Sequence, residues 1–322
     1  MKAILVEDGQ LVWGEAPSPS MGPGEVRIAN RASAVNRADL AQREGGYPPP
    51  PGASPILGLE CAGVVEAVGE EVTRFKPGDE VCALLSGGGY AEDVVVPAPQ
   101  VLPMPGGLSF TEAAALPEVF ATAYLNLFIE AALVPGETVL LHAGASGVGT
   151  AGIQLCRAFD NPCFVTAGSD DKIDRCIELG AAGGSNRHDG SFTEKVEGWT
   201  DGRGLDVILD PVGASYLDDN LKSLNTDGRL VLIGLMGGIE ANLRLAPMLM
   251  RRLRIIGSTL RARPIEAKGV IMDALFEKVW PLVDTGSIKP IIDEVIPVTE
   301  ANRAHELIAS DTTFGKVVLS VD

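Results

Sequence analysis

The stretch "LLHAGASGVGTAG", residues 140–152, joins an apolar run to a glycine-rich segment of helical character. Small residues at such a transition allow another molecule to approach the backbone closely. A literal G-x-G-x-x-G occurs at Gly147, Gly149 and Gly152. Because the apolar run ends just before Gly144, we place the functional turn at "GASGVG" instead, with Ser146 at the second glycine position.

A strand–turn–helix of this composition is typical of dinucleotide binding, since the backbone N–H groups of the helix N-terminus point at a pyrophosphate. In this interpretation Gly144 makes the turn, and Gly149 lets the helix pack closely on the sheet. A glycine-rich turn without a ligand is the alternative, and the βα repeats that follow disfavour it. The predicted pyrophosphate contacts are Gly144, Ser146, Gly147, Val148 and Gly149.

Apolar strands alternate with helical stretches from Glu137 onwards. The segment "ETVLLHAG" precedes "GVGTAGIQLCRAF", "CFVTAG" precedes "DDKIDRCIELG", and "LDVILDPVG" precedes "ASYLDDNLKSL". Nearly all-apolar strands in repeated βα units predict a parallel sheet that is buried on both faces. The fold class of this part of the chain is therefore a doubly wound α/β domain.

Residues 1–110 alternate short β-type runs with breakers such as "PSPSMGPGE", which favours an antiparallel, barrel-like β domain. The next segment, "TEAAALPEVFATAYLNLFIEAAL", predicts a helix that is broken at Pro117. After Arg261 a long helix, "DEVIPV", "ANRAHELIA" and "KVVLSV" suggest a return to the first domain. We predict one domain from residues 1–118 and 262–322, and a dinucleotide-binding domain from residues 119–261.

The overall composition narrows the class of protein. A length of 322 residues suits two domains, and a net charge of −17 argues against nucleic acid as a partner. The five cysteines are odd in number and scattered, which favours reduced, packed thiols. The sequence has no apolar window of about 18 residues, and its start, "MKAILVEDGQLVW", resembles a strand rather than a signal peptide. We therefore expect a cytoplasmic protein with no membrane contact.

The end of the strand "CFVTAG" bears on the choice between NADH and NADPH. NAD-specific sites place a carboxylate there to bind the ribose 2′-hydroxyl, but this chain has Ala167 followed by Gly168 and Ser169. Lys172 lies within a turn of this strand end and Arg187 follows the next predicted strand, so both could pair with the oxygens of a 2′-phosphate. Lys172 as a solvated helix residue is the alternative, and the neighbouring carboxylates of Asp170 and Asp171 argue against a phosphate. We predict NADPH as the cofactor, with Ser169, Lys172 and Arg187 at its 2′-phosphate.

Several further stretches carry a family resemblance that runs essentially from end to end. They are "NRADLAQREGGYPPPPGASPILGLECAGVV", "VCALLSGGGYAE", "AAALPEVFATAY", "HAGASGVGTAGIQL", "VTAGSDDK", "DGRLVLIGLMGG" and "GKVVL". With them the sequence resembles the medium-chain dehydrogenase/reductases, in their zinc-free quinone oxidoreductase branch. The resemblance implies a GroES-like β-barrel catalytic domain and a Rossmann domain with a parallel sheet, and a homodimer formed through the Rossmann sheet edges.

The resemblance also bears on metal binding. Zinc-dependent relatives use a Cys just before the helix that follows the Asn36 region, and a His inside a Gly-His-Glu motif. Here the corresponding stretches are "NRAD" and Gly58-Leu59-Glu60, and leucine cannot ligate zinc. The structural-zinc cysteines of the family are missing as well, and the three histidines, His142, His188 and His305, suit core or surface roles. We therefore predict no metal ion.

Catalytic roles follow from the resemblance, residue by residue. Asn36 is expected near the nicotinamide and the substrate, and the Tyr47 phenol is expected to hydrogen-bond a carbonyl that gains negative charge. A helix cap at Asn36 and a surface-loop aromatic at Tyr47 are the alternatives. Arg187 departs from the family pattern, in which many relatives carry Tyr. The expected nicotinamide-side contacts are Asn36, Thr122, Gly234, Leu235, Met236, Ser258, Thr259 and Leu260.

The leading functional hypothesis is an NADPH-dependent quinone oxidoreductase that needs no zinc. Without a metal ion, the protein contributes binding, orientation and electrostatics to hydride transfer. Reduction of an α,β-unsaturated carbonyl by the same residues is the first alternative. A catalytically weak NADPH-binding protein with a structural or interaction role is the second.

Overall fold

The computed structural model of the chain describes residues 1–321, so Asp322, the last residue of the predicted first domain, lies outside the described residues. The chain divides into two compact units. The split unit combines Met1–Ala121 with the segment that begins at Leu260, and the central unit is Thr122–Thr259. The central unit thus starts three residues later and ends two residues earlier than the segment 119–261 that the sequence suggested.

Fifteen strands are assigned within residues 1–321. In chain order they are β1 (Lys2–Glu7), β2 (Gln10–Glu15), β3 (Glu25–Ala34), β4 (Glu60–Val68), β5 (Glu80–Leu84), β6 (Asp93–Pro97), β7 (Val101–Pro103), β8 (Val139–Leu141), β9 (Cys163–Ala167), β10 (Gly183–Asn186), β11 (Leu205–Asp210), β12 (Leu224–Leu232), β13 (Arg254–Gly257), β14 (Ile292–Pro297) and β15 (Lys316–Ser320).

Eleven α-helices accompany these strands in the described part of the chain. They are α1 (Arg37–Arg43), α2 (Phe110–Ala113), α3 (Pro117–Tyr124), α4 (Gly147–Ala158), α5 (Asp170–Leu179), α6 (Thr193–Trp199), α7 (Leu217–Ser223), α8 (Leu245–Arg251), α9 (Ile265–Lys278), α10 (Trp280–Asp284) and α11 (Ala301–Ala309). The break predicted at Pro117 is confirmed, because α3 begins there. Proline is tolerated at the first position of a helix, since the N–H that it lacks would have no intrahelical acceptor there. No helix among residues 1–321 is long and apolar enough to cross a bilayer.

The split unit is built on a seven-stranded sheet in the order β14-β15-β3-β4-β5-β7, with β6 also paired to β3. Every pairing in it is antiparallel except that of β14 with β15. Two register shifts between β3 and β4 bend the sheet, as bulges do in closed β structures. Alternate residues of β3 and β6, including Val26, Ile28, Val94 and Val96, form its apolar core. The predicted antiparallel β domain is confirmed.

The central unit contains a six-stranded, entirely parallel sheet in the order β10-β9-β8-β11-β12-β13. All residues of β8 and β9 are buried, as expected for strands covered on both faces. Chain order reverses between β8 and β11, and ligands of such sheets bind beyond the carboxyl ends of the strands at that point. The predicted doubly wound domain with a parallel sheet is therefore confirmed.

All five cysteines of the protein are buried, in agreement with the expectation that they are packed in the interior.

Candidate active site

The glycine turn, residues 142–149, connects β8 to α4 at the carboxyl edge of the central sheet. Its left-handed residue is Ala143, with φ of 55°, and not Gly144, which the sequence suggested as the turn residue. Gly144 is required for close approach, since a Cβ there would lie 2.6 Å from Val165 Cβ. A Cβ on Gly149 would lie 2.4 Å from the carbonyl oxygen of Gly144, so the predicted close packing at this position is present.

Ser146 caps α4: its hydroxyl oxygen accepts a hydrogen bond from the Gly149 N–H at 3.1 Å, and the residue is exposed. The N–H groups of Gly147 and Val148 belong to the first helical turn, which offers no intrahelical acceptor. Gly147 and Val148 are half-exposed, and open N–H groups at the positive end of a helix dipole are what a pyrophosphate needs. The residues present here therefore fit a dinucleotide.

The ends of β9 and β10 meet next to this turn. The Arg187 N–H donates to the carbonyl of Ala167 at 2.9 Å, which brings the residue after β10 beside the end of β9. Ser169 caps α5 by accepting from the Lys172 N–H at 3.3 Å. The Asp170 carboxylate accepts a hydrogen bond from the Asn186 amide at 3.1 Å. Ala167, Ser169, Lys172 and Arg187 are thus gathered at one place, where the sequence predicted a 2′-phosphate.

A cavity of about 230 Å³ opens on this side of the central unit. Burial raises the pKa of Tyr216, and the positive charge of Arg187 partly offsets this effect, so the two side chains lie close together. Most of the lining side chains are polar, and they include Thr166, Ser185, Arg187, Ser191, Tyr216 and Asp219. Sequence reasoning missed this cavity, because its wall comes from four separate segments of the chain.

Five further predicted contacts of the central unit lie at the same edge of the sheet. Gly234, Leu235 and Met236 follow β12, while Ser258 and Thr259 follow β13, and parallel strands place their carboxyl ends together. Leu235 and Met236 are 50% and 56% exposed. Thr122 is half-buried at the start of the central unit, and its carbonyl accepts from the Asn126 amide at 2.7 Å. Leu260 is buried and belongs to the split unit.

Asn36 lies in the split unit, where it precedes the first residue of α1 as its N-cap. Its amide nitrogen donates to Glu60 Oε1 at 2.9 Å and to the carbonyl of Ala34 at 3.2 Å. Its amide oxygen accepts from Lys316 Nζ at 2.7 Å. Both amide hydrogens are therefore used within the protein, so Asn36 has only acceptor capacity left for a ligand.

Glu60 and Lys316 form a buried ion pair with an Oε1–Nζ distance of 2.8 Å. Lys316 also donates to the carbonyl of Val35 at 2.8 Å, and Glu60 Oε2 accepts from the Glu118 N–H at 2.9 Å. We call the buried side chains of Asp39, Glu60 and Lys316, together with the neutral amide of Asn36 that hydrogen-bonds Glu60 and Lys316, the buried charged cluster. Sequence reasoning missed its ion pair, and the available signal was a charge inside each of two apolar runs, "LGLECAGVV" and "GKVVLSV".

The carboxyl groups of Asp39 and Glu118, both in the split unit, have raised pKa values. Burial raises the pKa of Asp39 to about 6, although the N–H groups of Gly58 and Asn36 at 3.0 and 2.8 Å and the Tyr90 hydroxyl oppose the shift. Burial and the nearby charge of Glu60 raise the pKa of Glu118 to about 8. One oxygen of Glu118, Oε2, is enclosed without a hydrogen-bond partner within residues 1–321. At neutral pH Glu118 is therefore mostly protonated.

Tyr47 is half-buried in the segment between α1 and β4. Its carbonyl accepts a hydrogen bond from Arg261 Nη1 at 3.2 Å, and the Arg261 guanidinium lies over its ring, 5.2 Å from the centroid. Burial raises the pKa of Tyr47, and the charge of Arg261 partly offsets this rise. The phenol oxygen has no hydrogen-bond partner among the described residues, so it is available to donate to a ligand.

The Gly58-Leu59-Glu60 stretch, which corresponds to the zinc-binding motif of metal-dependent relatives, has no histidine. Leu59 is buried in the apolar core, and the neighbouring carboxylate of Glu60 accepts from three nitrogen donors, those of Asn36, Lys316 and the Glu118 backbone. Within residues 1–321, no three His, Cys, Asp or Glu side chains come together as a metal site. His142 instead hydrogen-bonds Thr166 and Asn220, His305 contacts Tyr90, and His188 is exposed.

Comparison with known families gives two matches. Residues 22–106 match the alcohol dehydrogenase GroES-like domain, and residues 147–276 match the zinc-binding dehydrogenase family. The chain is 32% identical to a quinone oxidoreductase of Rattus norvegicus over 94% of its own length and 90% of that protein. It is also 32% identical to a synaptic vesicle membrane protein VAT-1 homolog of Homo sapiens, over 94% of its own length and 81% of that protein.

Solved structures are similar over whole chains. An NAD-dependent alcohol dehydrogenase superposes with a TM-score of 0.88 at 34% identity, covering 100% of both chains. The quinone oxidoreductase from Thermus thermophilus, also solved in complex with NADPH, gives 0.85 at 31%, again covering 100% of both chains. The CurK enoyl reductase gives 0.87 at 29%, over 100% of this chain and 99% of that one. The chain therefore belongs to the medium-chain dehydrogenase/reductase superfamily, in keeping with its quinone oxidoreductase branch, as an oxidoreductase with an NAD(P)-binding fold.

Proposed function

We propose that the protein is a zinc-independent, NADPH-dependent quinone oxidoreductase. The observation that carries this proposal is the carboxyl edge of the central sheet. There an open helix N-terminus at Ser146 lies next to a β9 end that has Ala167, and not a carboxylate, at the position of the ribose contact. The free phenol of Tyr47 in the split unit supplies a donor for the substrate oxygen.

The residues that would hold the cofactor divide into three groups. Gly144, Ser146, Gly147, Val148 and Gly149 would receive the pyrophosphate. Ser169, Lys172 and Arg187 would receive the 2′-phosphate. When bound, the reduced nicotinamide would supply the hydride. Its half of the cofactor would contact Asn36, Thr122, Gly234, Leu235, Met236, Ser258, Thr259 and Leu260.

A preference for NADPH over NADH is supported by charge. Arg187 is held beside Ala167 by a backbone hydrogen bond, and the Asp170 carboxylate accepts a hydrogen bond from the Asn186 amide. Calorimetric titration should give NADPH at least about tenfold tighter binding than NADH, or about 1.4 kcal/mol. Arg187→Ala should remove most of that difference while leaving NADH binding unchanged. Equal affinities for the two cofactors in the unmodified protein would overturn the preference.

On the substrate side, Tyr47 would donate a hydrogen bond to the carbonyl oxygen as that oxygen gains negative charge. Tyr47→Phe should lower kcat by about 5- to 30-fold, because one neutral hydrogen bond contributes about 1–2 kcal/mol. Cofactor affinity should not change. An enone should lose more rate than a quinone, since its enolate is the more basic anion. Negligible losses of kcat with both substrates would mean that Tyr47 shapes the pocket and donates no hydrogen bond that affects the rate.

Reduction of an enone or alkenal double bond is the second candidate, and the similarity to an enoyl reductase favours it. The same phenol would then stabilise an enolate. Steady-state oxidation of NADPH with a panel of ortho-quinones, para-quinones and enones separates the two. A higher kcat/KM for the enones than for the quinones would identify the protein as an enone reductase. Inactivity with the whole panel would favour a binding or interaction role.

The proposal includes independence from zinc, because Leu59 has no ligand atom and the carboxylate of Glu60 is already paired with Lys316. Dialysis against a chelator should leave the activity with quinones unchanged. Elemental analysis that finds one zinc per chain, lost together with activity, would contradict this part of the proposal.

A homodimer formed through the central sheet is also proposed. The sheet ends at β13, whose outer side pairs with no strand among residues 1–321. The adjacent α8 exposes Leu245, Leu249 and Met250 by 69%, 79% and 77%. Leu249→Arg should convert a dimer to a monomer in light scattering, whereas Val270→Arg, on an exposed apolar site of the split unit, should not. A monomeric unmodified protein at micromolar concentration would contradict the dimer.

A further inference from the structure

Tyr47 lies in a segment that has few means of holding its own conformation. Residues 44–54, which we call the Tyr47 loop, contain no helix or strand and include four consecutive prolines at 48–51, which have no N–H to donate. The backbone hydrogen bonds in this segment are made by the N–H groups of Glu44, Gly45, Gly46 and Ala53. None of these bonds involves Tyr47. Its position must therefore depend on contacts from elsewhere in the split unit.

Arg261 supplies those contacts. Its side chain is buried, with the residue 3% exposed, and each nitrogen of the guanidinium donates to a different segment. Nη1 donates to the Tyr47 carbonyl at 3.2 Å, Nη2 to Gln42 Oε1 at 2.6 Å, and Nε to the Ser86 carbonyl at 2.9 Å. The Ser86 hydroxyl in turn donates to the carbonyl of Arg261 at 3.2 Å.

These bonds tie both ends of the Tyr47 loop to the same side chain. Gln42, near the end of α1, uses its amide nitrogen to donate to the carbonyl of Pro55 at 2.9 Å, just beyond the loop. Arg261 thus reaches the start of the loop through Gln42, its far end through Gln42 and Pro55, and its middle through Tyr47 itself. The guanidinium also lies over the Tyr47 ring at 5.2 Å, within the range of a cation–π contact.

We infer that Arg261 is a positioning residue for Tyr47: it fixes the loop and orients the phenol toward the substrate oxygen. The positioning itself is independent of the reaction, whereas its effect on rate rests on the proposed function of Tyr47. A planar fork with donors in three directions is required, because a lysine ammonium cannot reach three acceptors that lie in separate segments.

Charge adds to this geometry. The titratable groups that act on Tyr47 are Arg261, whose charge favours the ionised phenol, and Glu118, which opposes it once it has lost its proton. Lys268 adds a second buried cation beside Ser86, since its ammonium group donates to the Ser86 hydroxyl at 2.5 Å. Loss of Arg261 should therefore raise the pKa of Tyr47 and weaken the phenol as a donor, in addition to releasing the loop.

A double-mutant cycle in kcat tests the inference with quinone as the substrate. Arg261→Met should lower kcat by about 5- to 30-fold, as Tyr47→Phe does, while NADPH affinity stays unchanged. In the Tyr47→Phe background, Arg261→Met should cost less than about twofold, because its effect acts through the phenol. Losses that multiply in the double variant would overturn the inference.

A second readout does not depend on activity. The protein has four tyrosines, so 3-fluorotyrosine labelling gives a simple ¹⁹F spectrum in which Tyr47→Phe identifies the Tyr47 resonance. Arg261→Met should shift this resonance toward the position of solvated tyrosine, narrow it and raise its titration midpoint. An unchanged resonance would overturn the inference even if quinones prove not to be substrates. If Tyr47→Phe leaves kcat unchanged, the proposed role of Tyr47 fails, and the spectrum still tests the positioning.

Two further variants complete the design. Arg261→Lys keeps the charge but loses the fork, so its spectrum should match Arg261→Met in line width and show a smaller rise in the midpoint. It also serves as the test if Arg261→Met fails to fold. Arg74→Met is the matched control: Arg74 likewise lies over an aromatic ring, that of Phe276 at 5.3 Å, but pairs with Asp273 and makes no hydrogen bond to the Tyr47 loop. It should change neither the spectrum nor kcat.

Discussion

At the glycine turn of the central unit the groups open to a ligand are backbone N–H groups, whereas in the buried charged cluster of the split unit the charged side chains pair with groups of the protein itself. The turn needs glycine at its points of close approach: a Cβ on Gly149 would lie 2.4 and 2.5 Å from two carbonyl oxygens. The cluster works because each charge is satisfied, with Lys316 donating to three acceptors. One region depends on steric room and the other on electrostatic pairing.

The difference determines how each region responds to change. A turn made of backbone is sensitive to added volume, and the damage should concentrate in ligand binding next to it. A buried ion pair is sensitive to the removal of one partner, because the remaining charge is left in a poorly solvating interior. Stability should therefore be lost mainly through the cluster and affinity mainly through the turn.

Lys316→Met should produce the largest loss of stability. It leaves the buried carboxylate of Glu60 with only the Asn36 amide and the Glu118 N–H as donors. Removal of one partner of such a pair costs about 3–5 kcal/mol of the free energy of unfolding. Urea denaturation of the two proteins measures this difference.

Two controls accompany that measurement. Glu60→Gln combined with Lys316→Met removes both charges and should recover part of the loss. Lys222→Met breaks an exposed pair with Asp218, whose side chains are 54% and 55% exposed, and should cost no more than about 0.5 kcal/mol. A Lys316→Met loss as small as that of Lys222→Met would mean that the cluster does not behave as a buried ion pair.

Gly149→Ala tests the steric side of the comparison. The new Cβ would meet the carbonyl oxygens of Gly144 and Ala143 at 2.4 and 2.5 Å, so the turn has to move. We expect about 1–3 kcal/mol of destabilisation, typical of overpacking, and at least about a tenfold loss of cofactor affinity through displaced N–H donors. Gly198→Ala, in α6 with open space around its Cβ position, is the control and should bind cofactor normally. Equal behaviour of the two variants would contradict the steric requirement at Gly149.

The turn was predictable from sequence because everything it needs lies within about ten residues. Apolar strand, small residues and helix follow one another along the chain, and the parallel sheet follows from the repetition of that pattern. The left-handed conformation of Ala143 escaped prediction, since alanine rarely adopts it and glycine was the natural choice at the turn. Here the close approach of Val165 to Gly144 decides which residue must be glycine.

The cluster could not be predicted in the same way. Asn36 and Glu60 are 24 positions apart, and Lys316 is 280 positions from Asn36, so their meeting depends on the pairing of β3 with β4 and β15. The resemblance placed Asn36 at the active site but gave no sign that both hydrogens of its amide are occupied. Arg261 was likewise treated as the border between domains, whereas its side chain contacts the Tyr47 loop.

Glu118→Gln tests whether the folded protein holds a proton on the Glu118 carboxyl group near neutral pH. The pKa of Glu118 is raised to about 8 from 4.5, so between these values the folded protein holds a proton that the unfolded chain has released. Its contribution to stability must therefore fall as pH rises through this window, by at most about 1.4 kcal/mol per pH unit. Glutamine does not titrate, and the variant should have a flatter profile. The groups that act on Glu118 are Glu60, Asp39, Lys316 and Lys268.

Unfolding should be measured between about pH 6.5 and about pH 8.5, because Asp39, with a pKa of about 6, contributes mainly below this range. Glu118→Gln should gain stability relative to the unmodified protein as pH increases. Parallel profiles for the two proteins would show that Glu118 is ionised at neutral pH in the folded state, and the enclosed oxygen would then need another source of stabilisation.

The smallest effects should come from the two serine caps of the central unit, Ser146 at α4 and Ser169 at α5. Each hydroxyl accepts one N–H, at 3.1 and 3.3 Å, so either Ser→Ala change should cost about 1 kcal/mol of stability. Their effects on binding should differ, because the proposed pyrophosphate site at Ser146 serves both cofactors and the proposed 2′-phosphate site at Ser169 serves NADPH alone. Ser146→Ala should weaken NADH and NADPH alike, by a few-fold at about 1 kcal/mol for one hydrogen bond, whereas Ser169→Ala should weaken only NADPH. If Ser169→Ala weakened the binding of NADH as much as that of NADPH, the 2′-phosphate site could not be assigned to the end of β9.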